Sequence, residues 1–502
     1  MVCIACDLQS IYMDEYFNFL YCSHHLLVSS SSLCLSVLLI VHICCGFLGY
    51  VDVYQVHAII SFWVTILLIL FSSNLQKQRE HHEIPCSLNI EVDTISNLPG
   101  HIVDKILSHL PLRDAVRTSI LSSKWRYRWV TLPYLVFDNH SVLVSTQDQT
   151  LTKNKLVSIV DHVLLLHNGP IHKFKLSHKD LQGVSDIDRW ILYLSRGSVK
   201  DFILEIWKGH RYRLPSSIYS CQKLVHLELF NCLLKPPPLF NGFKSLKSLD
   251  LQHITMDQLA FELMISSCPL LERLTLMNFD GFSLLNIHTP NLLFFDVGGV
   301  FEDVSFQDTL HLAVVSIGLY VNSGIERNLA FGSTGNLIKF FACLPHIQRL
   351  EVQSFFLKYL AAGIIPGKLP SPCLELSFLS IRINFNDMEE NLAALCLLRS
   401  SPNLQELELL ARPEEQVTAR MASKISDIFQ NFPFNQLRLI KIVGISGIRQ
   451  ELSFINFLLA NTPVLERMTV KPSSVDSGWD LVKELLRFRR ASMFAEIIYL
   501  DP

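Results

Sequence analysis

The chain has 502 residues, long enough for several domains or for one long repeat array. Its 43 basic and 46 acidic residues leave a net charge of -3, so it lacks the basic excess of a nucleic-acid or anionic-membrane binder. Hydrophobic residues make up 49% and mean hydropathy is +0.30, an excess concentrated near the N-terminus.

Residues 1–82 read as a hydrophobic leader. No Asp, Glu, Lys or Arg occurs from Tyr16 to Val51, and a second uncharged run extends from Val53 to Gln76. Each run is long enough to cross a hydrocarbon core, which takes about twenty apolar residues. A cleaved signal peptide fits poorly, because Asp7, Asp14 and Glu15 precede the first run without any basic residue. Two readings stay open: a pair of membrane spans, or a gene-model artefact joined to an otherwise complete protein. If the spans are real, Lys77 and Arg79 flank them and place the rest of the chain in the cytosol.

Seven of the 13 cysteines fall in the first 86 residues, and the other six scatter between Cys221 and Cys396 without regular spacing. Scattered thiols in apolar surroundings predict a reducing compartment, cytoplasmic or nuclear. Cys3 and Cys6 have CxxC spacing but no second pair, so no metal site is expected there.

The stretch "LPGHIVDKILSHLPLRDAVRTSILSSKWRYRW" runs from Leu98 to Trp129. Ile102, Val103, Ile106, Leu107 and Leu110 recur at helical spacing after Pro99, and Pro111 closes that helix. A second helix is expected around Asp114–Leu121, with Val116 and Ile120 on its apolar side. Ser122 would then cap a third turn carrying Trp125 and Trp129. Three helices this short cannot bury all these side chains among themselves, so a partner must take the surplus.

This pattern, over residues 93–135, resembles the F-box, the adaptor-docking module of Skp–cullin–F-box ubiquitin ligases. The resemblance implies that Leu98, Pro99, Ile106, Leu107, Leu110, Pro111 and Trp125 lie at or next to a Skp-binding surface, with cullin reached through the adaptor. Val116 stands where the family often has leucine.

Behind it, over residues 150–425, the chain repeats L-x-x-L-x-L. The clearest copies are "LVHLEL" (224–229), "LKSLDL" (246–251), "LERLTL" (271–276), "LLFFDV" (292–297), "IQRLEV" (347–352) and "LQELEL" (404–409). "LRLIKI" (437–442) and "LERMTV" (465–470) continue the pattern, while "LAVVSI" (312–317) and "LSFLSI" (376–381) are weaker copies. The spacing of the first four falls in the leucine-rich-repeat range of about 20–29 residues. Only Cys232 clearly fills the closing Asn/Cys position, so the repeats are irregular. Such repeats stack into a parallel sheet whose outward residues form an extended concave binding surface. Between the last two apolar positions stand Glu228, Asp250, Asp296, Glu351 and Glu408, an acidic strip that suits a basic segment of a bound protein.

"LRLIKIVGISGIRQELSFINFLLANTPVLERMTV" with "LLRFRRAS" (within 426–500) is similar to the FBD domain of plant F-box/leucine-rich-repeat proteins. "GPIHKFKLS" (169–177) and "VKDFILEI" (199–206) resemble the openings of repeats in the same family. The expected architecture is therefore α/β: a three-helix F-box, an irregular leucine-rich-repeat solenoid and a terminal FBD segment. The resemblance implies the substrate-recognition subunit of a ubiquitin ligase, with a protein target, no catalytic residues and no cofactor. The alternative is a membrane-anchored repeat scaffold without ubiquitin transfer.

Catalytic motifs fail on spacing. "GIIPGKLP" (363–370) is one residue short of a phosphate loop and has Leu369 where Ser or Thr would hold magnesium. "HHEIPC" (81–86) lacks the second zincin histidine, and "GISGI" (444–448) lacks the glycine placement of a nucleophile elbow.

Overall fold

A computed structural model describes residues 98–139, 149–182, 185–320, 335–412, 432–474 and 478–501. The leader, with its two candidate spans, and "HHEIPC" lie outside the described residues. Among the described residues no helix is long and apolar enough to cross a membrane. The chain divides after Leu110 into two compact units.

The described part of the first unit is one helix, α1 (Gly100–Ser108), with Val103, Ile106 and Leu107 buried. Pro99 stands at the N-cap, immediately before the first helical residue. Its extended backbone (ψ 143°) turns its carbonyl to accept from Ile102 and Val103 N–H at 3.0 and 3.2 Å. At the other end the helix tightens before Pro111 is reached, with His109 and Leu110 N–H donating three residues back at 3.1 Å each.

The second unit starts with the same device. The Pro111 carbonyl accepts from Asp114 and Ala115 N–H at 2.9 and 3.0 Å and opens α2 (Leu112–Arg117), which narrows into a 3-10 turn at Thr118–Ile120. The third segment is a run of turns ending in a 3-10 helix, Arg128–Thr131, after a left-handed Tyr127 (φ 64°). Ser122 caps this segment through its backbone carbonyl, which accepts from Trp125 and Arg126 N–H at 3.2 and 3.1 Å. The expected hydroxyl cap does not form: Ser122 Oγ is buried with no hydrogen-bond partner among the described residues.

From there fourteen strands form one sheet in chain order, all neighbours parallel. They are β1 (Tyr134–Phe137), β2 (Lys173–Gln182), β3 (Asp201–Lys208), β4 (His226–Phe230), β5 (Ser248–Gln252), β6 (Arg273–Met277) and β7 (Phe294–Gly299). Then come β8 (Val314–Leu319), β9 (Arg349–Ser354), β10 (Phe378–Ile383), β11 (Glu406–Ala411), β12 (Leu439–Ile445), β13 (Arg467–Pro472) and β14 (Glu496–Tyr499). Every leucine-rich copy supplies a strand, including both weak ones, and all three leucines of "LVHLEL" and "LKSLDL" are buried. Cys232 is buried too, its thiol 3.5 Å from the Phe230 carbonyl.

Two features of the sheet bear on domain organisation. β1 lies at the C-terminal edge of the F-box pattern yet pairs with β2, so the F-box tail is continuous with the repeats. At the other end β12, β13 and β14 extend the sheet through the FBD segment with α9 (Arg449–Asn461) and α10 (Gly478–Arg487) between them. The earlier connections carry α3 (Gln149–Leu166), α4 (Ser185–Ser195), α5 (Gln258–Ser266), α6 (Asn336–Ala342), α7 (Phe356–Ala361) and α8 (Met388–Ser400). Connecting segments fill the core with aromatics: Phe282 stacks on Phe261 and Phe279 at 4.3 and 4.5 Å.

Candidate functional site

The F-box residues sort by exposure. Ile106, Leu107 and Trp125 are buried, Leu107 and Trp125 at 0 and 2% exposure. Leu98 and Leu110 are half-buried, and Pro99 and Pro111 are exposed. Sequence reasoning missed the most exposed apolar positions: Ile120 is 88% and Leu121 50% exposed, with Tyr127 also open. The expected apolar side of the second helix therefore does not hold for Ile120. The buried residues of α2 and the turn after it are Leu112, Ala115 and Thr118, three apart, and Ile120 falls on the opposite side. Leu107 and Trp125 are thus shielded from solvent, while Pro99, Pro111, Ile120 and Leu121 meet it.

The acidic strip occupies one row of the sheet. Buried and outward residues alternate along the strands, as the two-residue strand period requires. Parallel register sets Glu228 opposite Asp250, Asp250 opposite Thr275, and Thr275 opposite Asp296. The row continues through Ser316, Glu351, Ser380, Glu408 and Lys441. From Asp250 to Glu408 carboxylate and hydroxyl alternate strand by strand. The weak copies on β8 and β10 supply the interleaved serines, and Ser380 Oγ donates to Glu408 at 3.0 Å.

Three of the five carboxylates have a partner on the sheet. His226 Nε2 lies 3.5 Å from Glu228 and holds its carboxyl below the usual carboxylate range, helped by Lys175 and Lys173. Arg349 contacts Glu351 at 2.8 Å, and Lys441 contacts Glu408 at 2.7 Å. Among the described residues, neither Asp250 nor Asp296 has an ion pair. Asp250 accepts a hydrogen bond from Gln252 Nε2 at 3.0 Å, and Asp296 one from Ser316. Burial, with Glu228 beside it, pushes the Asp250 carboxyl up to about 6. Burial raises Asp296 as well, with Glu351 adding to it. The five-residue strip thus reduces to two uncompensated carboxylates flanking Thr275.

Beside this row, toward the strand ends, lies an aromatic band. Trp207, half exposed, sits 4.7 Å from the Phe230 ring, which meets His253 edge-on at 5.0 Å. No group of three His, Cys, Asp or Glu side chains among the described residues could hold a metal ion. The six described cysteines are free thiols, all but Cys343 buried.

Apolar side chains presented by short proline-started helices, in continuity with a parallel leucine-rich sheet, define an F-box protein with leucine-rich repeats. Comparison with known proteins agrees. The F-box domain model matches residues 95–136, and the model described as FBD-associated F-box protein At5g56370, LRR repeats, matches 187–409. F-box/FBD/LRR-repeat protein At1g13570 of Arabidopsis thaliana is 41% identical over 416 residues, covering 82% of this chain and 99% of that protein. From the same plant, F-box/LRR-repeat protein 13 is 27% identical over 483 residues (85% of this chain, 100% of that protein). FBD-associated F-box protein At5g22730, also from Arabidopsis, is 25% identical over 459 residues (81% and 94%). The chain belongs to the F-box/FBD/LRR-repeat family.

Proposed function

We propose that this chain is the substrate-recognition subunit of a Skp–cullin–F-box ubiquitin ligase. It is a non-catalytic adaptor: the F-box docks a Skp adaptor, and through it a cullin, while the outward face of the sheet holds a protein target. Its contribution is proximity, since tethering makes ubiquitin transfer effectively intramolecular. The observation that carries this reading is the exposure of Ile120 and Leu121 in a matched F-box, apolar surface that a free monomer gains nothing by presenting. The proposed Skp-adaptor-binding residues are Leu98, Pro99, Ile106, Leu107, Leu110, Pro111 and Trp125, to which Ile120 and Leu121 are added. On the sheet, Glu228, Asp250, Asp296, Glu351 and Glu408 form the proposed substrate row.

The test separates contact from fold. Ile120→Asp with Leu121→Asp places two charges where side chains already meet water, so the melting temperature stays within a degree or two and Skp co-purification is lost. Leu107→Asp instead puts a charge at a fully buried position and unfolds the F-box, which makes it a poor probe of binding. A folded Ile120/Leu121 double variant that still captures Skp overturns the assignment.

A further inference from the structure

The outward face of β3 to β8 carries two parallel rows of different chemistry. One row holds the uncompensated Asp250 and Asp296 on either side of Thr275. Two residues further along the same strands lie Phe230, Gln252, Met277, Gly298 and Gly318, in mutual register. Gly298 has no side chain because two others occupy its space. A Cβ there would sit 2.5 Å from Tyr320 Oη and 2.9 Å from Met277 Sδ. Tyr320 and Met277 therefore close over the glycine, and this second row has Trp207 and Phe230 on one side of Gln252 and Met277 and Tyr320 on the other.

Charge and spacing select the occupant. Asp250 and Asp296 are separated by one strand, so their backbones stand about 10 Å apart. A planar guanidinium or an ammonium placed between them reaches both carboxylates, with Thr275 as a third polar contact. No cation among the described residues takes that place: the nearby Arg273 is held 4.1 Å over the Phe294 ring, and His226 is engaged with Glu228. The two rows are about 7 Å apart, and adjacent residues of an extended peptide project to opposite sides. A chain running between the rows thus turns one side chain toward the aspartates and the next toward the aromatics.

We propose that this face seats an extended segment of a partner protein in which an arginine or lysine adjoins an aromatic or large aliphatic residue. The inference rests on the substrate-receptor reading above for its biological sense, and on the sheet alone for its chemistry.

The test uses the full chain with its Skp adaptor and nine-residue peptide libraries whose central residue is fixed as Arg, Lys, citrulline or Glu. The Arg and Lys libraries are expected to bind at least tenfold more tightly than the citrulline and Glu libraries, with Phe, Trp, Leu or Met selected next to the fixed residue. Asp250→Asn with Asp296→Asn abolishes the charge preference, and Trp207→Ser with Met277→Ser abolishes the apolar one. Glu484→Gln, on α10 and paired there with Arg487, leaves both unchanged. Equal binding of all four libraries, or a preference that survives the double Asn variant, overturns the proposal. Skp capture is scored on the same samples. Its loss with peptide selection intact removes the ligase reading alone, and the reverse result removes only the peptide site.

Discussion

Glu228 and Asp250 are register partners on β4 and β5, yet their carboxyls titrate in opposite directions. His226 holds Glu228 low, while burial, with Glu228 next to it, lifts Asp250 to about 6. In the unfolded chain Asp250 returns to an ordinary value near 4. Between about pH 4 and pH 6 the folded state therefore binds more protons, and stability from this group is lost as pH rises through that window. Asp250→Asn removes the penalty. The variant should match the parent near pH 4 and gain about 1 kcal/mol by pH 7.5, a figure reduced for partial solvent screening. Urea unfolding at both pH values checks it; a pH-independent difference shows that the pair is not electrostatically strained.

Asn139 begins the sequon Asn139-His140-Ser141 and is exposed, with its side-chain carbonyl accepting Lys179 N–H at 2.9 Å. A body that faces the cytosol leaves this asparagine unmodified, whether or not the leader inserts. Endoglycosidase treatment of the protein from plant microsomes should give no mobility shift. A shift would place the repeats in the lumen, away from any cullin, and end the ligase reading.

The sequence made the buried half of this protein legible more readily than the exposed half. Leucine spacing located strand after strand because burial requires period two; the weak copy "LAVVSI" followed it, while "LSFLSI" also formed a strand although Ser380 is buried between Leu379 and Ile381. The F-box was legible as a pattern, but its outward residues were not, since the buried side of α2 and the turn after it is Leu112, Ala115 and Thr118 and not the side of Ile120. The strip's acidity was visible, while two of its partners, His226 and Arg349, stand two residues before Glu228 and Glu351 on the same strand. Lys441 neutralises Glu408 from the next strand, which only register reveals. β1 and β14, with four residues each, carried too few apolar positions to be read as repeats.

Glu390 and Arg412 form an ion pair inside the solenoid, with Glu390 fully buried and the Arg412 side chain 10% exposed. Burial raises the Glu390 carboxyl, opposed by the arginine beside it. The pair joins the ends of three successive strands. Glu390, in the first turn of α8, accepts Asn384 N–H at 2.9 Å just beyond β10, while Arg412, just beyond β11, donates to the Ser354 carbonyl at 2.8 Å at the end of β9. Its guanidinium also lies 4.4 Å over Phe355. Removing one partner leaves a buried charge that water cannot reach, so Glu390→Gln should cost about 3–5 kcal/mol. Arg412→Met in the same chain removes the stranded charge and should recover more than half of that loss, since a buried pair returns little beyond its own desolvation. Denaturant titration of the two single variants and the double variant closes the cycle. Strictly additive losses would mean that the three strand ends are joined by their backbone contacts alone.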